Sequence, residues 1–341
     1  MFQLERLGVV LNPDMGEDRE YCLGRKGEYA KYNAGMALDA QTGDRVHMLY
    51  RFGRNVPAEE FHPEEGMSPY VTDCIGYAEL TPEGRLVKDH GIVYRPQMPR
   101  ELSGCQDPRI VWFEGWYIVT YCAWDINQVP AGCDKPRMAF AKTRDFKNFE
   151  PLGIIDHASF DKDHYIFPER IGGKICLVHR VVPDIQFDYF DSFDDLFSWE
   201  GWKDYEHISH KSTVMKGMYP WEGGKIGGSA PPIRTKDGWL FLYHGVEMMP
   251  EGNEFEFCYC AGAALLDGDN PKKVIARLPE PILCPEMPYE KYGDVGNVVF
   301  PVGAYVYNGM LYVSYGGADK VTAIAHCSLD ELLNELKKHP V

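Results

Sequence analysis

The stretch Gly104-Cys-Gln-Asp-Pro-Arg-Ile-Val-Trp-Phe-Glu-Gly-Trp-Tyr-Ile-Val-Thr-Tyr-Cys122 has the pattern of a β-hairpin. Two runs of aromatic and β-branched residues flank Glu114-Gly115, a residue pair that suits a tight turn. Asp107 stands at the head of the first run, between a glutamine and a proline. A lone aspartate in such a position is most often a turn or capping residue. The stretch alone therefore predicts local structure, and its recurrence along the chain predicts the fold.

The turn and second strand of this hairpin recur along the chain. They recur at residues 44–51, 114–121, 172–180, 237–245 and 308–316, and each segment opens with a turn residue that leads into a strand-like run. A first run precedes each copy, at 32–38, 106–112, 166–171, 229–234 and 298–304, and a third run follows it. Five such units of antiparallel strands predict an all-β fold, a five-bladed β-propeller, as a single domain over residues 1–341. A β-sandwich is the structural alternative, but a single sandwich rarely needs so regular a repeat.

Long connections must join these units, because the repeat exceeds the roughly 40–50 residues of common propeller repeats. We expect the longest loops near residues 55–73, 125–136 and 203–224, and we expect residues 1–31 to cover one face or to close the ring. A short C-terminal helix is predicted where Ser328 and Glu331 form a capping box ahead of leucines at helical spacing. This helix is interpreted as a packing or oligomerisation element, so a homo-oligomer is possible.

The strand order predicts that charged residues of different units meet at one mouth. In an antiparallel hairpin the start of the first strand lies beside the end of the second. Asp107 stands at a first-strand head, whereas the other charged candidates stand at or just past second-strand ends. These are Arg51, Arg180, His244 and Asp319. A histidine after an apolar strand is more often a hydrogen-bonded core residue, so both interpretations of His244 stay open.

Composition narrows the function classes. The formal net charge is −16 and no basic run occurs, which argues against a nucleic-acid partner. No apolar stretch reaches the length of about eighteen residues that a membrane helix needs, so no membrane partner is expected. The start of the chain lacks the pattern of a signal peptide, and the ten cysteines are scattered, so we expect a cytoplasmic location. Cys258-Tyr-Cys260 is expected to pack in a strand and not to bind a metal.

A set of motifs in fixed order resembles a known family. The motifs are Cys105–Arg109, Phe167–Arg170 with His179-Arg180, Lys225–Ile233, Tyr243–Val246, Gly262–Asp267, Asn297–Pro301 and Tyr315–Asp319. Each motif is modest alone, but the ordered set, within about residues 30–327, resembles glycoside hydrolase family 130. That family contains β-mannoside phosphorylases and some β-mannosidases, and its fold is a five-bladed propeller. The resemblance therefore agrees with the fold that the repeat predicts.

The resemblance implies an enzyme, a glycosyl-transferring phosphorylase with an inverting mechanism. Inorganic phosphate would attack the anomeric carbon of a non-reducing β-mannosyl unit, giving α-mannose 1-phosphate and a free acceptor sugar. Asp107 matches the family's general acid, which is thought to act through a mannose hydroxyl. An inverting hydrolase needs a second carboxylate to activate water. A phosphorylase needs cations that hold the phosphate anion instead.

The resemblance also implies roles for further residues. The phosphate-binding positions are Arg180, Lys225, His244, Tyr259 and Arg170. The mannose-binding positions are Asn33, Arg51, Arg109 and Asp319. The expected ligands are a β-mannosyl disaccharide or oligosaccharide and inorganic phosphate as co-substrate, with no cofactor and no metal.

Two other functions stay open at this point. A β-mannosidase of the same family would lack the phosphate-binding cations and use glutamates to activate water, with Glu169, Glu247 and Glu254 as candidates. A non-catalytic carbohydrate-binding propeller would need no general acid. The presence of Arg180, Lys225 and His244 favours phosphorolysis over hydrolysis. The sequence leaves open the linkage, β-1,4 or β-1,2, and the acceptor, which is glucose, mannose or N-acetylglucosamine.

Overall fold

The computed structural model describes residues 2–15, 28–55, 73–124, 135–157 and 160–341. The strands are β1 (Glu5–Leu11), β2 (Glu28–Leu38), β3 (Val46–Asn55), β4 (Cys74–Leu80), β5 (Leu86–Tyr94), β6 (Gly104–Phe113), β7 (Trp116–Trp124), β8 (Arg137–Thr143), β9 (Phe149–Ile155), β10 (Asp161–Ile166), β11 (Ile175–Val181), β12 (Ile185–Phe190), β13 (Thr213–Met215), β14 (Lys225–Gly228), β15 (Ile233–Thr235), β16 (Gly238–Met248), β17 (Phe257–Leu266), β18 (Val274–Arg277), β19 (Val299–Tyr307), β20 (Met310–Gly317) and β21 (Val321–Ser328). The helices are α1 (Phe193–Ser198), α2 (Tyr205–Ile208), α3 (Pro288–Lys291) and α4 (Leu329–Leu336), with 3-10 turns at Glu200–Asp204, Ser209–Lys211 and Pro220–Glu222.

The strands form five antiparallel sheets, which are the blades of a five-bladed propeller, and the predicted fold is confirmed. Blade 1 is β2–β5, blade 2 is β6–β9, blade 3 is β10–β13, blade 4 is β14–β18 and blade 5 is β19–β21. The outer strand of blade 5 is β1, which pairs with β21 from Glu5 opposite His326 to Leu11 opposite Thr322. The chain's first strand thus completes its last sheet, so the N-terminal segment closes the ring, one of the two roles expected for it.

The first strands of the blades surround the central axis. Strands β2, β6, β10 and β19 contact one another across blade boundaries. Apolar side chains fill the wedges between neighbouring blades. Met48 of blade 1, for example, lies in one cluster with Tyr312 of blade 5, and Ile118 of blade 2 lies with Leu177 of blade 3. This packing fixes each first strand against its neighbours and therefore fixes the side chains that face the axis.

The C-terminal helix is a packing element. Ser328 Oγ accepts a hydrogen bond from the backbone N–H of Glu331 at 3.3 Å, which confirms the predicted cap. Leu332, Leu333 and Leu336 of α4 are buried in the cluster that joins blades 4 and 5. Burying a leucine side chain contributes about 1.5–3 kcal/mol. Among the described residues no helix is long and apolar enough to cross a membrane.

Three details of the sequence interpretation need correction. The segment 203–224, predicted as a loop, contains α2, short 3-10 turns and β13, which pairs with β12 as the outer strand of blade 3. These pieces are too short to show a periodic pattern in the sequence. Most of the predicted loops 55–73 and 125–136 lies outside the described residues. Cys260 is joined to Cys284 in a disulfide, a pairing that the expectation of scattered thiols did not include.

The first strand of blade 3 is the third correction. It was predicted at 166–171, but β10 ends at Ile166, and the chain then runs through Pro168 to the turn at Gly172. Proline has no N–H to donate and is poorly suited to the interior of a strand. The shift places Asp163 near the strand head, while Arg170 lies outside the strand and close to the turn, at the opposite end of the blade.

Candidate active site

A cavity of about 180 Å³ lies where the blades meet, and all five blades contribute to its wall. The described wall residues are Asn33, Arg51, Asp107, Phe160, Lys162, Asp163, Arg180, Lys225, His244, Tyr259, Val295, Val298, Phe300 and Asp319. The structure therefore confirms that Asp107 meets the charged residues of the second-strand ends at one mouth.

Bulges in three first strands aim polar side chains into this cavity. The antiparallel register of β2, β6 and β10 shifts near the cavity end of each strand. The bulged residues Asn33, Asp107 and Asp163 have φ angles of 50°, 54° and 58°, in the left-handed region that residues other than glycine seldom adopt. Bulges re-aim a side chain and are common beside active sites. The same local distortion in three consecutive blades thus brings an amide and two carboxylates to one place.

Asp107 is buried against an amide and a guanidinium. Asn33 Nδ2 donates a hydrogen bond to Asp107 Oδ1 at 2.8 Å, and Arg51 Nη1 is 3.5 Å from the same oxygen. Burial alone would raise the pKa of Asp107, but the positive charges of Arg51 and Lys162, together with the hydrogen bond from Asn33, bring the pKa below its ordinary value. Arg51 is held in turn by Asp73, whose Oδ2 is 2.7 Å from Arg51 Nη2.

A second carboxylate of the same cavity has the opposite shift. Burial raises the pKa of Asp319 to about 6, although Arg51 lowers it, and the negative charge of Asp107 raises it further. Asp319 also has a left-handed backbone, with a φ of 51°. Asp107 and Asp319 thus differ in pKa, which allows one to stay ionised where the other takes up a proton.

The cationic side of the cavity is formed by blades 3 and 4. Arg180 Nε is 3.0 Å from Asp163 Oδ2, and His244 Nε2 is 3.7 Å from the same oxygen. Burial, with the nearby charge of Arg180, lowers the pKa of Lys225 to about 8. Burial lowers the pKa of His244 to about 3, so this imidazole is neutral at neutral pH while Arg180 and Lys225 are cations. Lys225 Nζ lies 5.5 Å from the centroid of the Tyr259 ring.

A buried network supports Arg180 from behind. Asp161 Oδ1 accepts a hydrogen bond from the backbone N–H of Arg180 at 3.0 Å. His179 lies between two carboxylates, with Nδ1 2.5 Å from Asp161 Oδ2 and Nε2 3.0 Å from Asp188 Oδ2. Burial would lower the pKa of His179, but Asp161 and then Asp188 raise it to about 9. His179 is therefore an imidazolium that fixes β11 next to the cavity.

Arg109 does not line the cavity, in contrast to the mannose-binding role expected for it. The side chain is 1% exposed and its donors are occupied by protein groups. Nη1 donates to the carbonyl oxygen of Asp107 at 3.1 Å, Nε donates to that of Ser229 at 2.8 Å, and Nη2 is 3.1 Å from Asp163 Oδ1. Arg109 therefore joins blades 2, 3 and 4 beneath the site and positions Asp107.

Comparison with known proteins assigns the chain to a family. Residues 26–338 match the profile of glycoside hydrolase family 130, which is described as beta-1,4-mannooligosaccharide phosphorylase. The chain belongs to glycoside hydrolase family 130. It is 34% identical over 287 residues to the 1,2-beta-oligomannan phosphorylase of Thermoanaerobacter sp. (strain X514), covering 84% of this chain and 86% of the relative. It is also 34% identical over 329 residues to the beta-1,2-mannobiose phosphorylase of the same organism, covering 95% and 97%.

A solved structure agrees over the whole length. The beta-1,2-mannobiose phosphorylase from Listeria innocua, in complex with beta-1,2-mannobiose, matches with a TM-score of 0.74 at 26% identity. The match covers 98% of this chain and 99% of that chain. The resemblance drawn from the ordered motifs is thereby confirmed.

Within this family 130 propeller, one expected phosphate contact lies far from the cavity. Arg170 Nε is 2.6 Å from Glu114 Oε1 in the turn between β6 and β7, and Nη1 donates to the carbonyl oxygens of Gly173 and Asp191. The turn of β6 and β7 and the head of β6 are opposite ends of one hairpin. The structure therefore corrects the assignment of Arg170 to the phosphate site.

The candidate hydrolytic glutamates are also absent from the described wall. Glu169 is exposed beside Arg170, and neither Glu247 nor Glu254 is among the described residues that line the cavity. The carboxylates that do line it, within the described residues, are Asp107, Asp163 and Asp319.

Sequence reasoning missed Asp163 and Lys162, which stand at the head of blade 3. A signal for Asp163 was present, because it precedes Ile166 by the same interval that separates Asp107 from Ile110. The misplaced first strand of blade 3 hid this correspondence. Phe160 also lines the cavity and had no distinguishing pattern, and Phe300 lines it from within the motif Asn297–Pro301, where it was given no role.

Proposed function

We infer that this protein is a β-mannoside phosphorylase that cleaves a non-reducing β-mannosyl linkage with inorganic phosphate. One observation carries the inference: Arg180, Lys225 and His244 share a single cavity of about 180 Å³ with Asp107. Cations beside a buried carboxylate suit the binding of an anionic nucleophile next to an acid. The names of the relatives agree with this chemistry.

The two sides of the cavity suggest two subsites. The mannosyl ring occupies the side bounded by Asn33, Arg51 and Asp319, where amide, guanidinium and carboxylate groups meet sugar hydroxyls. Phosphate occupies the side bounded by Arg180 and Lys225. A phosphate oxygen forms a bond to the anomeric carbon as the bond from that carbon to the acceptor oxygen breaks. The attack inverts the β-linkage, so the product is α-mannose 1-phosphate.

Asp107 supplies the proton that the leaving acceptor sugar takes up, by way of a mannose hydroxyl. Arg51 keeps the pKa of Asp107 below its ordinary value, which by itself favours the ionised form. A phosphate anion bound at Arg180 and Lys225 adds a negative charge to the same cavity, and a nearby negative charge raises the pKa of a carboxyl group. Phosphate binding therefore prepares the acid as well as supplying the nucleophile.

We infer the linkage that is cleaved from the relatives that align with the largest share of this chain. The relatives that align over 84% and 95% of this chain are named for 1,2-β-linked mannosides, whereas a relative that aligns over 68% of it and the family profile are named for β-1,4-linked ones. We propose β-1,2-mannobiose as the first substrate to test and β-1,4-mannobiose as the second.

The test is the phosphate dependence of product formation. The protein is incubated with each disaccharide, with and without phosphate, and mannose 1-phosphate and free mannose are assayed. Mannose 1-phosphate that forms only with phosphate is the expected result, and Asp107→Asn is the inactive control. Free mannose at equal rates in both tubes would make the protein a mannosidase. Absence of both products from every β-mannoside, with sugar binding retained in Asp107→Asn, would make it a binding protein.

A further inference from the structure

Asp163 places a negative charge inside the proposed phosphate site. It is 1% exposed, it lines the cavity, and it stands among the cations Arg180 and Lys225 and the neutral His244. A carboxylate beside an anion subsite weakens anion binding through like-charge repulsion, unless the anion also donates a hydrogen bond to the carboxylate. The inference below rests on the proposed function and concerns which anions the site accepts.

The two carboxylate oxygens of Asp163 have different surroundings. Oδ1 lies 3.1 Å from Arg109 Nη2, beneath the cavity. Oδ2 lies 3.0 Å from Arg180 Nε and 3.7 Å from His244 Nε2, but neither contact has hydrogen-bond geometry. Within the described residues Oδ2 is a buried acceptor that forms ion pairs but no hydrogen bond, and Arg180 Nε and His244 Nδ1 are buried without a hydrogen-bond partner as well.

A buried acceptor of this kind needs a proton from its ligand. Burial would raise the pKa of Asp163, but Arg180 and then His244 lower it far below its ordinary value, so Asp163 is ionised and can only accept. Phosphate keeps a P–OH group at neutral and mildly alkaline pH and can donate from it. Sulfate has no proton to donate, so its oxygen would face Oδ2 as one acceptor against another.

We propose that Asp163 accepts a hydrogen bond from the P–OH group of the bound phosphate and thereby selects protonated oxyanions over fully deprotonated ones. Asp163 is then a specificity-determining residue for the co-substrate as well as the counter-ion of Arg180. A site that is built to pair with a ligand hydroxyl rejects the analogue that lacks it, because its own buried group stays unpaired.

The first experiment uses the unmodified protein. Inhibition by sulfate and by monofluorophosphate, which resembles hydrogen phosphate but has no acidic proton at about pH 8, is measured in competition with phosphate. We expect both inhibition constants to exceed the KM for phosphate by at least about tenfold, the effect of one hydrogen bond to a charged group. Arsenate, which keeps an As–OH group, should replace phosphate and release free mannose, because its sugar ester hydrolyses. Inhibition constants within about threefold of the KM would overturn the proposal.

The second experiment compares two variants. Asp163→Asn gives the site an N–H donor in place of one acceptor oxygen, so the ratio of the sulfate inhibition constant to the phosphate KM should fall by about tenfold. Asp319→Asn, which changes a buried carboxylate on the sugar side of the same cavity, should leave that ratio unchanged. The ratio is taken within each variant, so a general loss of activity does not affect it. An equal fall in both variants would mean that Asp163 acts only through its negative charge and accepts no specific hydrogen bond from phosphate.

The outcomes separate this inference from the function on which it rests. Phosphate-dependent turnover with tight sulfate binding would overturn the role of Asp163 and leave the phosphorylase intact. Absence of phosphate-dependent turnover from every mannoside would overturn both.

Discussion

The ion pairs at the two ends of the propeller blades differ in how deeply they are buried. At the turn end, Arg170 pairs with Glu114 with side chains that are 33% and 56% exposed. At the cavity end, Arg109 pairs with Asp163 with side chains that are 1% and 2% exposed. An exposed pair contributes about 0–1 kcal/mol, whereas removing one partner of a buried pair costs about 3–5 kcal/mol. Burying the charges at the cavity end also costs several kcal/mol of desolvation per ion, and groups kept at such a cost are typical of functional sites.

The bulges explain how the same hairpin has two such different ends. At the turn end, left-handed φ angles lie within a two-residue turn, at Glu114 with 49° and Gly115 with 84°. At the cavity end they lie within bulged strands, at Asp107 and Asp163, and there too they strain the backbone. Strain of this kind persists where surrounding contacts determine the conformation. Arg109 supplies such contacts to both residues, through the carbonyl oxygen of Asp107 and the carboxylate of Asp163.

The largest effect is expected when the carboxylate of Asp107 becomes an amide. Asp107→Asn should lower the rate of mannose 1-phosphate formation by about 10²–10⁴-fold, the contribution of a general acid. Asparagine tolerates the left-handed backbone that this position requires, so the fold should be retained. The measurement is turnover at saturating phosphate, with the thermal midpoint as the control for folding. A loss of less than about fivefold in a folded variant would assign the acid role to another group.

The sequence predicted some of the residues at the cavity end correctly and missed or misplaced others. Asp107, Arg51, Arg180, His244 and Asp319 were placed correctly, because strand ends can be read from the hairpin repeat and antiparallel pairing fixes which ends meet. This step needed no side-chain coordinates.

The missed or misplaced residues depend on features that the pattern does not encode. Arg109 was assigned to the mannose site only through the family resemblance, and its contacts to three blades show that it lies beneath the cavity. Arg170 was assigned to the phosphate site through the family resemblance, whereas the structure places it beside the turn at Gly173, in contact with Glu114. The bulge in β10 that turns Asp163 toward the cavity is a feature of strand pairing, which single-strand propensity does not describe.

The imidazolium behind Arg180 should make stability pH-dependent. The pKa of His179 is raised from 6.5 to about 9, so its contribution to the free energy of unfolding is complete below pH 6.5 and is lost as the pH rises through about 9. The loss should amount to roughly 3 kcal/mol at most. Denaturant titrations between these pH values measure it, and His179→Asn should remove this part of the pH dependence. An identical pH dependence in the variant would show that His179 is not charged in the folded protein.

A smaller effect is expected from Lys225, whose pKa of about 8 lies close to neutral pH. Lysine is a cation below its pKa, so kcat/KM for phosphate should fall as the pH rises above about 8 and should be level below it. Lys225→Met should raise the KM for phosphate by about 10–100-fold at neutral pH and flatten this profile.

A matched control for Lys225 lies in the adjoining groove. Lys216 lines a groove of about 650 Å³ that Lys225 also borders, but its side chain is 71% exposed and points to Asp184. Lys216→Met should leave both the KM for phosphate and the pH profile unchanged. If both variants shift the KM equally, the general positive charge of this region attracts phosphate and no specific contact of Lys225 is needed.

The smallest effect is expected at the turn end. Arg170→Ala breaks the exposed pair with Glu114 and should lower the free energy of unfolding by at most about 1 kcal/mol. The KM for phosphate should stay within about twofold of the unmodified protein, because a surface substitution away from the site changes little. Arg180→Ala, on the same hairpin, should instead raise that KM by about tenfold or more, since Arg180 faces the cavity. A rise of equal size in Arg170→Ala would mean that the head and the turn of blade 3 are exchanged, and the contrast between the two ends of the blades would fail at its best-defined pair.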